Sequence, residues 1–442
     1  MGEAPVRRVR RWLLRPDGLA SGLWTRQPSG AMFCPPIGEN QVRLPAVVPA
    51  TASDEREPQM PTFGLACNTV YGEGSIAKIG ERARAAGFRH AFIVTDPGVR
   101  AAGLLEAAIA SLSQSHLAYT VFDGVTANPR IGQTVAGAQA MRDSGADFAL
   151  AIGGGSAMDA AKVIALVHAN GGDPRDYMAA FGGHRAPKPI TPLYTVPTTC
   201  GSGAEVTAGA VLTDEESKQK TVLFGCAPSL AVLDPQMVYG LPVNIVASTG
   251  VDALTHAVES YLGPRADAMT RTFSVQAVRL VAASLRDAVN GEDRREALAS
   301  MLYAASIAGH AMIAGAGQVH ALAHPLGGRL DVPHGVANGV LLTAVLEHHL
   351  ERIAPQLADL ALLMGENVFG LSVHQAGKRA VEAMARLRED VGLPSRLSGL
   401  GVSDDDIQAC AGDALGPAQR FSIDYPAPVT FDEVLAIYRR AM

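Results

Sequence analysis

Residues 319–335, VHALAHPLGGRLDVPHG, set His320, His324 and His334 among small apolar residues and glycine, in a chain with only twelve histidines. A buried imidazole must find partners for its polar nitrogens, and this stretch offers few. The segment GVDALTHAVESY (250–261) adds Asp252 and His256, four apart in a helical pattern and therefore stacked on one face. His320 and His324 repeat that spacing, and His334 follows after an expected loop containing Gly327, Gly328 and Pro333. Imidazoles and a carboxylate brought from two helices to one point are the donor set of a divalent cation. Mixed His/Asp ligands suit Fe(II) or Zn(II). Glu259, seven residues past Asp252, is a fifth candidate on the same face. An isolated Asp-x-x-x-His is more often a surface or capping pair, so spacing leaves open which four are ligands.

A second kind of chemistry belongs to AIGGGSAMDAAK (151–162), a strand running through three glycines into a helix. Backbone N–H groups at such a turn approach a ligand closely, and the helix N-terminus favours a phosphate. The turn is not the G-x-G-x-x-G dinucleotide fingerprint. A capping box between Ser156 and Asp159 is the alternative reading of those two residues. Asp96 closes HAFIVTD and could accept bonds from a ribose diol, or could simply open the turn at Pro97-Gly98. TVPTTCGSGAEVT (195–207) is a third small-residue loop after a strand. In a doubly wound sheet, loops at strand C-termini converge on one crevice.

The elements that must hold these residues follow from the apolar pattern. HAFIVTD (90–96), AYTVFDG (118–124), DFALAIGGG (147–155) and LYTVPTT (193–199) read as buried parallel strands separated by helical stretches. VTAGAVLTDEES and KTVLFG suggest a hairpin, and SLAVLDPQM a last strand. After Pro242 the periodicity becomes helical. The expected organisation is an N-terminal tail (1–60), a doubly wound, mainly parallel α/β domain (61–241) and an all-α domain (242–442).

A length of 442 residues suits two domains, and a net charge of −6 argues against a broad nucleic-acid surface. No apolar run reads as a bilayer span, so no membrane partner is expected. Five scattered cysteines without a C-x-x-C fit reduced thiols in a cytosol-like compartment. The Arg-rich first sixty residues read as a disordered tail or an over-extended start before Met60, with an organelle transit peptide as the alternative.

Taken together, GGGSAMDAAK, PTTCGSGAEVT, GVDALTHAVESY and HALAHPLGGRLDVPHGVAN, in that order, resemble the iron-containing (group III) alcohol dehydrogenase family. The similarity runs from about residue 61 to the C-terminal VTFDEVLAIYRRAM. It implies a dehydroquinate synthase-like architecture with a metal between a nucleotide-binding and a helical domain. By position, Asp252, His256, His320 and His334 would be the metal ligands, with His324 beside the substrate. Gly154, Gly155, Ser156 and Asp159 would face the pyrophosphate, and Thr198, Thr199 and Ser202 would form the second cofactor loop. Asp96 would bind the ribose, Asn128 matches the family's D-G-V-x-x-N motif, and Lys220 its cofactor-contacting lysine. Cys200, Ser202 and Ala127 depart from the usual alanine, threonine and proline.

The resemblance implies reversible hydride transfer between a small alcohol and a nicotinamide, with NAD favoured over NADP and Fe(II) over Zn(II). It also implies a homodimer, and the cysteine pattern points to the cytoplasm. A metal-independent, maleylacetate reductase-like enzyme is an alternative that the intact Asp/His set argues against. A dehydroquinate-synthase-like lyase would need several basic residues, and the segments around 252–262 and 319–335 supply only Arg265 and Arg329. A nucleotide-binding scaffold without turnover is the third.

Overall fold

The computed structural model describes residues 64–183, 188–420 and 422–442. Before them it describes only the antiparallel pairing of Thr25–Arg26 with Met32–Phe33. The tail expected at 1–60 otherwise lies outside the described residues.

Six parallel strands form the main sheet: β1 (Asn68–Tyr71), β2 (His90–Val94), β3 (Ala118–Phe122), β4 (Phe148–Gly153), β5 (Leu193–Pro197) and β8 (Leu230–Leu233). Their spatial order is β1-β8-β5-β4-β2-β3. Every residue of β4 is buried, which requires cover on both faces. Phe148, Leu150 and Ile152 pack with Ile79, Ala83 and Leu112 on one side. Ala149 and Ala151 pack with Met158, Ala161 and Met141 on the other. This two-residue alternation fixes the register, because a slip of one would exchange the faces.

β2 pairs with β3 on one side and β4 on the other. The chain thus leaves β2 in one direction and returns on its opposite flank. That switch point opens a crevice at the strand C-termini, the place where doubly wound sheets bind ligands. Asp96 and the Gly153–Gly155 turn lie there.

The sequence pattern missed β1. NTVY is a four-residue edge strand, its residues half-buried or exposed, with no apolar run to announce it. The expected hairpin is present as β6 (Gly209–Thr213) and β7 (Lys220–Phe224), which form a separate antiparallel pair.

From Val243 onward the described elements are helical: Val243–Leu262, Ala268–Asn290, Arg295–Ala311, Gln318–Leu330, His334–His348, Leu350–Leu363, Val373–Asp390, Asp404–Ala414 and Phe431–Ala441, with short 3₁₀ turns between. They enclose one apolar core that includes Leu254, Val281, Leu302, Leu322, Leu341 and Ile437.

Two expectations need correction. Gly327 and Gly328 lie inside the Gln318–Leu330 helix, not in a loop before His334. Interior helix glycines cost roughly 1 kcal/mol each relative to alanine, but a Cβ on Gly328 would sit 2.2 Å from the Lys218 carbonyl oxygen, and one on Gly327 2.8 Å from Lys220 Nζ. The glycines let the β6–β7 hairpin pack on the helix. Second, Arg295–Ala314 is long and apolar enough to cross a bilayer by length and composition, at a mean hydropathy of 1.5. Leu298, Met301, Leu302, Ala305 and Ala308 of that segment are buried in the helical core.

Candidate active site

Val243–Leu262 is buried over most of its length, so its polar residues must be satisfied by neighbouring helices. Asp252 Oδ1 lies 3.7 Å from Nε2 of both His320 and His334. The ligand atoms of Asp252, His320 and His334 all fall within 4.8 Å of one another. His256 stands just outside this group: its Nε2 is 4.0 Å from Asp252 Oδ1 and its ring stacks on His320 with centroids 4.5 Å apart. Two ligands on a tetrahedral ion at about 2.1 Å are themselves about 3.4 Å apart, so the triad is close to that spacing.

The outward nitrogens decide what the inward ones present. His320 Nδ1 meets Glu259 Oε2 at 2.5 Å, and His256 Nδ1 meets the Gly201 carbonyl at 3.3 Å. Both partners are acceptors, so each Nδ1 carries the proton and Nε2 faces inward. Burial resists ionisation of Asp252, but His256, His334 and His320 hold its carboxyl well below the usual range. Burial likewise opposes a charged His320, yet Glu259 and Asp252 raise it to about 9. Burial keeps His256 and His334 low, against the pull of Asp252.

Asn338 Nδ2 donates to Asp252 Oδ1 at 2.7 Å and lies 3.2 Å from Nε2 of His320 and of His334. Its Oδ1 is buried without a partner, as is His334 Nδ1. A carboxylate and inward imidazole nitrogens converging on one point, with orphaned polar atoms around them, fit a bound divalent cation.

His324 is turned differently. Its Nδ1 meets Gln419 Oε1 at 2.7 Å, while Gln419 Nε2 donates to the Lys220 carbonyl at 2.9 Å. The amide orientation makes Oε1 an acceptor, so Nδ1 of His324 carries the proton and Nε2 is left as an acceptor. Burial, with Lys220 and His320 nearby, pushes His324 down to about 3 and keeps it neutral. No short-range pattern pointed to Gln419, which lies 95 residues along the chain from His324.

The cofactor candidates gather at the sheet crevice. Asp96 Oδ1 caps the Pro97–Ala101 helix through the Val99 N–H at 2.9 Å. Its Oδ2 would lie 3.5 Å from a Cβ on Gly153. Gly154 is the N-cap of Gly155–Asn170, and no side chain caps that helix. A Cβ on Gly154 would be 3.1 Å from Thr199 Cγ2, and one on Gly155 2.9 Å from Ser202 Cβ. The Thr198 N–H donates to the Gly153 carbonyl at 2.9 Å. All three loops therefore meet.

The Ser156–Asp159 capping box does not form. Asp159 instead bonds Lys162 Nζ at 3.1 Å and the Val211 N–H at 3.0 Å, bracing the β6–β7 hairpin. Lys220 is buried between carboxylates: burial lowers it to about 8, with Asp252, Asp159 and Asp331 opposing. Asn128 lines a cleft of about 210 Å³ with Arg329 and Asp331, its Nδ2 3.4 Å from Asp331 Oδ1.

Two family models match nearly the whole described chain: iron-containing alcohol dehydrogenase over residues 67–235, and the C-terminal part of the same family over 246–442. The chain belongs to the iron-containing alcohol dehydrogenase family. This iron-containing alcohol dehydrogenase is 38% identical to the 1,3-propanediol dehydrogenase of Klebsiella pneumoniae over 376 residues, covering 84% of this chain and 96% of that one. It is 34% identical to the NAD-dependent methanol dehydrogenase of Bacillus methanolicus over 388 residues, covering 87% and 100%. The crystal structure of a 1,3-propanediol oxidoreductase superposes with a TM-score of 0.82 at 37% identity, covering 87% of this chain and all of that one. The enzyme is an alcohol oxidoreductase with the parallel-sheet and helical architecture of its family.

Proposed function

We propose that Asp252, His256, His320 and His334 hold one divalent ion, with Fe(II) favoured over Zn(II), beside an NAD bound along the sheet crevice. The substrates we propose are small primary alcohols and diols and the corresponding aldehydes. Residues 61–241 would bind the cofactor and 242–442 the metal and substrate. The observation that carries this reading is the approach of Asp252 Oδ1 to two imidazole Nε2 atoms at 3.7 Å, with His320 Nδ1 turned away to Glu259. Relatives named for 1,3-propanediol and methanol support the substrate class, and the second is named as NAD-dependent.

A cation at that point supplies Lewis acidity, bringing the pKa of a hydroxyl toward neutrality. The protein's own groups do the rest. The uncapped N-terminus at Gly154–Gly155 and the Thr198–Ser202 loop orient the dinucleotide. Asp96 accepts from the ribose diol and repels a 2′-phosphate. His324 Nε2, neutral and without a proton of its own, accepts a hydrogen bond from the substrate hydroxyl and orients it, and the proton released on oxidation leaves to water. Overall, alcohol and NAD⁺ give aldehyde, NADH and one proton.

Among the described residues Cys67, Cys200, Cys226 and Cys410 are free, as a reducing compartment such as the cytoplasm would keep them. Among the described residues β1 pairs only with β8, which supports a homodimer built on that edge.

A panel of alcohols and aldehydes followed by NADH absorbance, on protein reconstituted separately with Fe(II) and Zn(II), tests the reading. Turnover that survives complete metal removal, or no turnover on any alcohol with metal bound, would reject it.

A further inference from the structure

Glu259 lies on Val243–Leu262 seven positions past Asp252 and three past His256, so the three side chains run along one side of the helix. Asp252 and His256 face the ligand cluster. Glu259 reaches instead to the start of the next ligand-bearing helix, and it is only 6% exposed. Both of its oxygens are committed: Oε1 accepts from the Val319 N–H at 2.6 Å and Oε2 meets His320 Nδ1 at 2.5 Å. A carboxylate at that depth is costly unless every lone pair is answered, so these bonds are the reason it can be there.

The neighbouring sequence is shaped to receive it. Gln318–Leu330 starts after Gly317, which has no side chain to cap the helix. Glu259 supplies the missing acceptor for an early N–H. A Cβ on Gly317 would lie 2.9 Å from Glu259 Oε1, so glycine makes room for the carboxylate. The other two imidazoles are held less firmly. His256 has a neutral carbonyl at 3.3 Å, and His334 Nδ1 has no partner.

We infer that Glu259 is a positioning residue for the metal site: it keeps the proton on His320 Nδ1, aims the Nε2 lone pair at the point shared with Asp252 and His334, and caps the helix carrying His320 and His324. The inference rests on the metal-binding reading above. Its physical basis is that an anionic acceptor behind an imidazole fixes the tautomer and strengthens the other nitrogen as a donor to a cation.

The test is the equilibrium affinity of the metal-stripped full chain for Zn(II), by chelator competition, in wild type, Glu259→Gln, Glu259→Ala and Asp252→Asn. The unfolding midpoint of each metal-stripped protein is measured alongside. Glutamine keeps the volume and can still accept from Val319, but its NH₂ then faces Nδ1 and favours the tautomer with the proton on Nε2. Glu259→Gln should lose about 10- to 100-fold in affinity with little change in the metal-free midpoint. Glu259→Ala should lose both affinity and midpoint.

A residue that only capped the helix would shift the midpoint and leave affinity unchanged, and that result in Glu259→Gln, with Asp252→Asn impaired, overturns the inference. Equal affinity in wild type and Asp252→Asn overturns the metal reading itself, and this inference with it. Should Glu259→Gln fail to fold, ¹⁵N spectra of the histidines in zinc-loaded wild type decide. A protonated Nδ1 on His320 is expected, and a protonated Nε2 overturns the assignment.

Discussion

Replacing Gly201 with alanine should damage the Thr198–Ser202 loop and the proposed metal cluster together. An added Cβ would lie 2.5 Å from the Thr249 carbonyl oxygen and 2.6 Å from Thr249 Cβ. Ordinary contact begins near 3.5 Å, so loop and helix must part by about 1 Å. Such overpacking costs about 1–3 kcal/mol. The Gly201 carbonyl is also the acceptor for His256 Nδ1 at 3.3 Å, and moving it 1 Å further breaks that bond and frees the ring. A displacement of about 1 Å between reacting groups costs about 100-fold in rate, equivalent to about 2.7 kcal/mol of barrier. Gly201→Ala should therefore lower kcat/KM for a small primary alcohol about 100-fold and reduce metal content after gel filtration. Gly399→Ala is the control, since nothing lies within 4 Å of a Cβ there. Steady-state kinetics and elemental analysis measure both effects. If Gly201→Ala keeps kcat/KM within threefold of wild type with full metal content, the claim that this contact aligns the two sites is wrong.

Asp96→Ala should shift the NAD over NADP preference in kcat/KM by tenfold or more toward NADP, and the lost helix cap should cost about 1 kcal/mol; an unchanged cofactor ratio would remove the ribose role. Lys162 is fully buried, with Nζ bonded to Asp159, Thr207 and the Gly209 carbonyl. Lys162→Met should therefore cost about 3–5 kcal/mol in urea unfolding by stranding the carboxylate, and adding Asp159→Asn should recover part of it. No recovery would show that the loss comes from packing alone. Lys220 is held down to about 8 by burial, so its ammonium is present below that pH and lost above it. KM for NAD should rise as pH passes through about 8, and Lys220→Met should abolish that inflection; an identical pH profile in the variant would exclude Lys220 as its source.

Much of the fold was legible because burial on both faces leaves a strong mark. β2, β4 and β5 are continuous apolar runs, and the helices beyond Pro242 repeat on a helical period. β1 left no such mark because an edge strand buries little. The glycine rule misled at Gly327 and Gly328, where the demand for close approach by Lys218 and Lys220 outweighs helix propensity. In the site, the four-residue spacings correctly put Asp252 with His256 and His320 with His324 on shared faces. They could not say that His324 turns to Gln419, that Glu259 turns to His320, or that Asn338 reaches Asp252. Those partners are separated by 95, 61 and 86 residues, and only the packing of the helices brings them together. For Asp159 the local alternative, a capping box with Ser156, fails because its partners are a lysine one turn along and a hairpin amide 52 residues away.

The distribution of glycines explains how two chemistries on different elements can be held in one register. Hydride transfer needs its carbon atoms brought to about 3–3.5 Å, a tolerance that long side chains at a junction would not keep. Here most of the junctions are backbone against backbone, with the buried Lys220 ammonium the one side-chain contact. Gly201 lies against Thr249 on the helix of Asp252 and His256, and Gly203 against Gly309 with a Cβ-to-Cα approach of 2.6 Å. Gly328 lies against the Lys218 carbonyl and Gly327 against Lys220 Nζ. Each contact joins an element of the cofactor crevice, or the hairpin beside it, to the helical region that carries the proposed ligands. Backbone contacts of this kind have few alternative arrangements, so a small shift in one element is transmitted instead of absorbed. The helix stability given up at Gly309, Gly327 and Gly328 is thus exchanged for alignment, and alanine at these positions should reduce turnover more than it reduces the unfolding free energy.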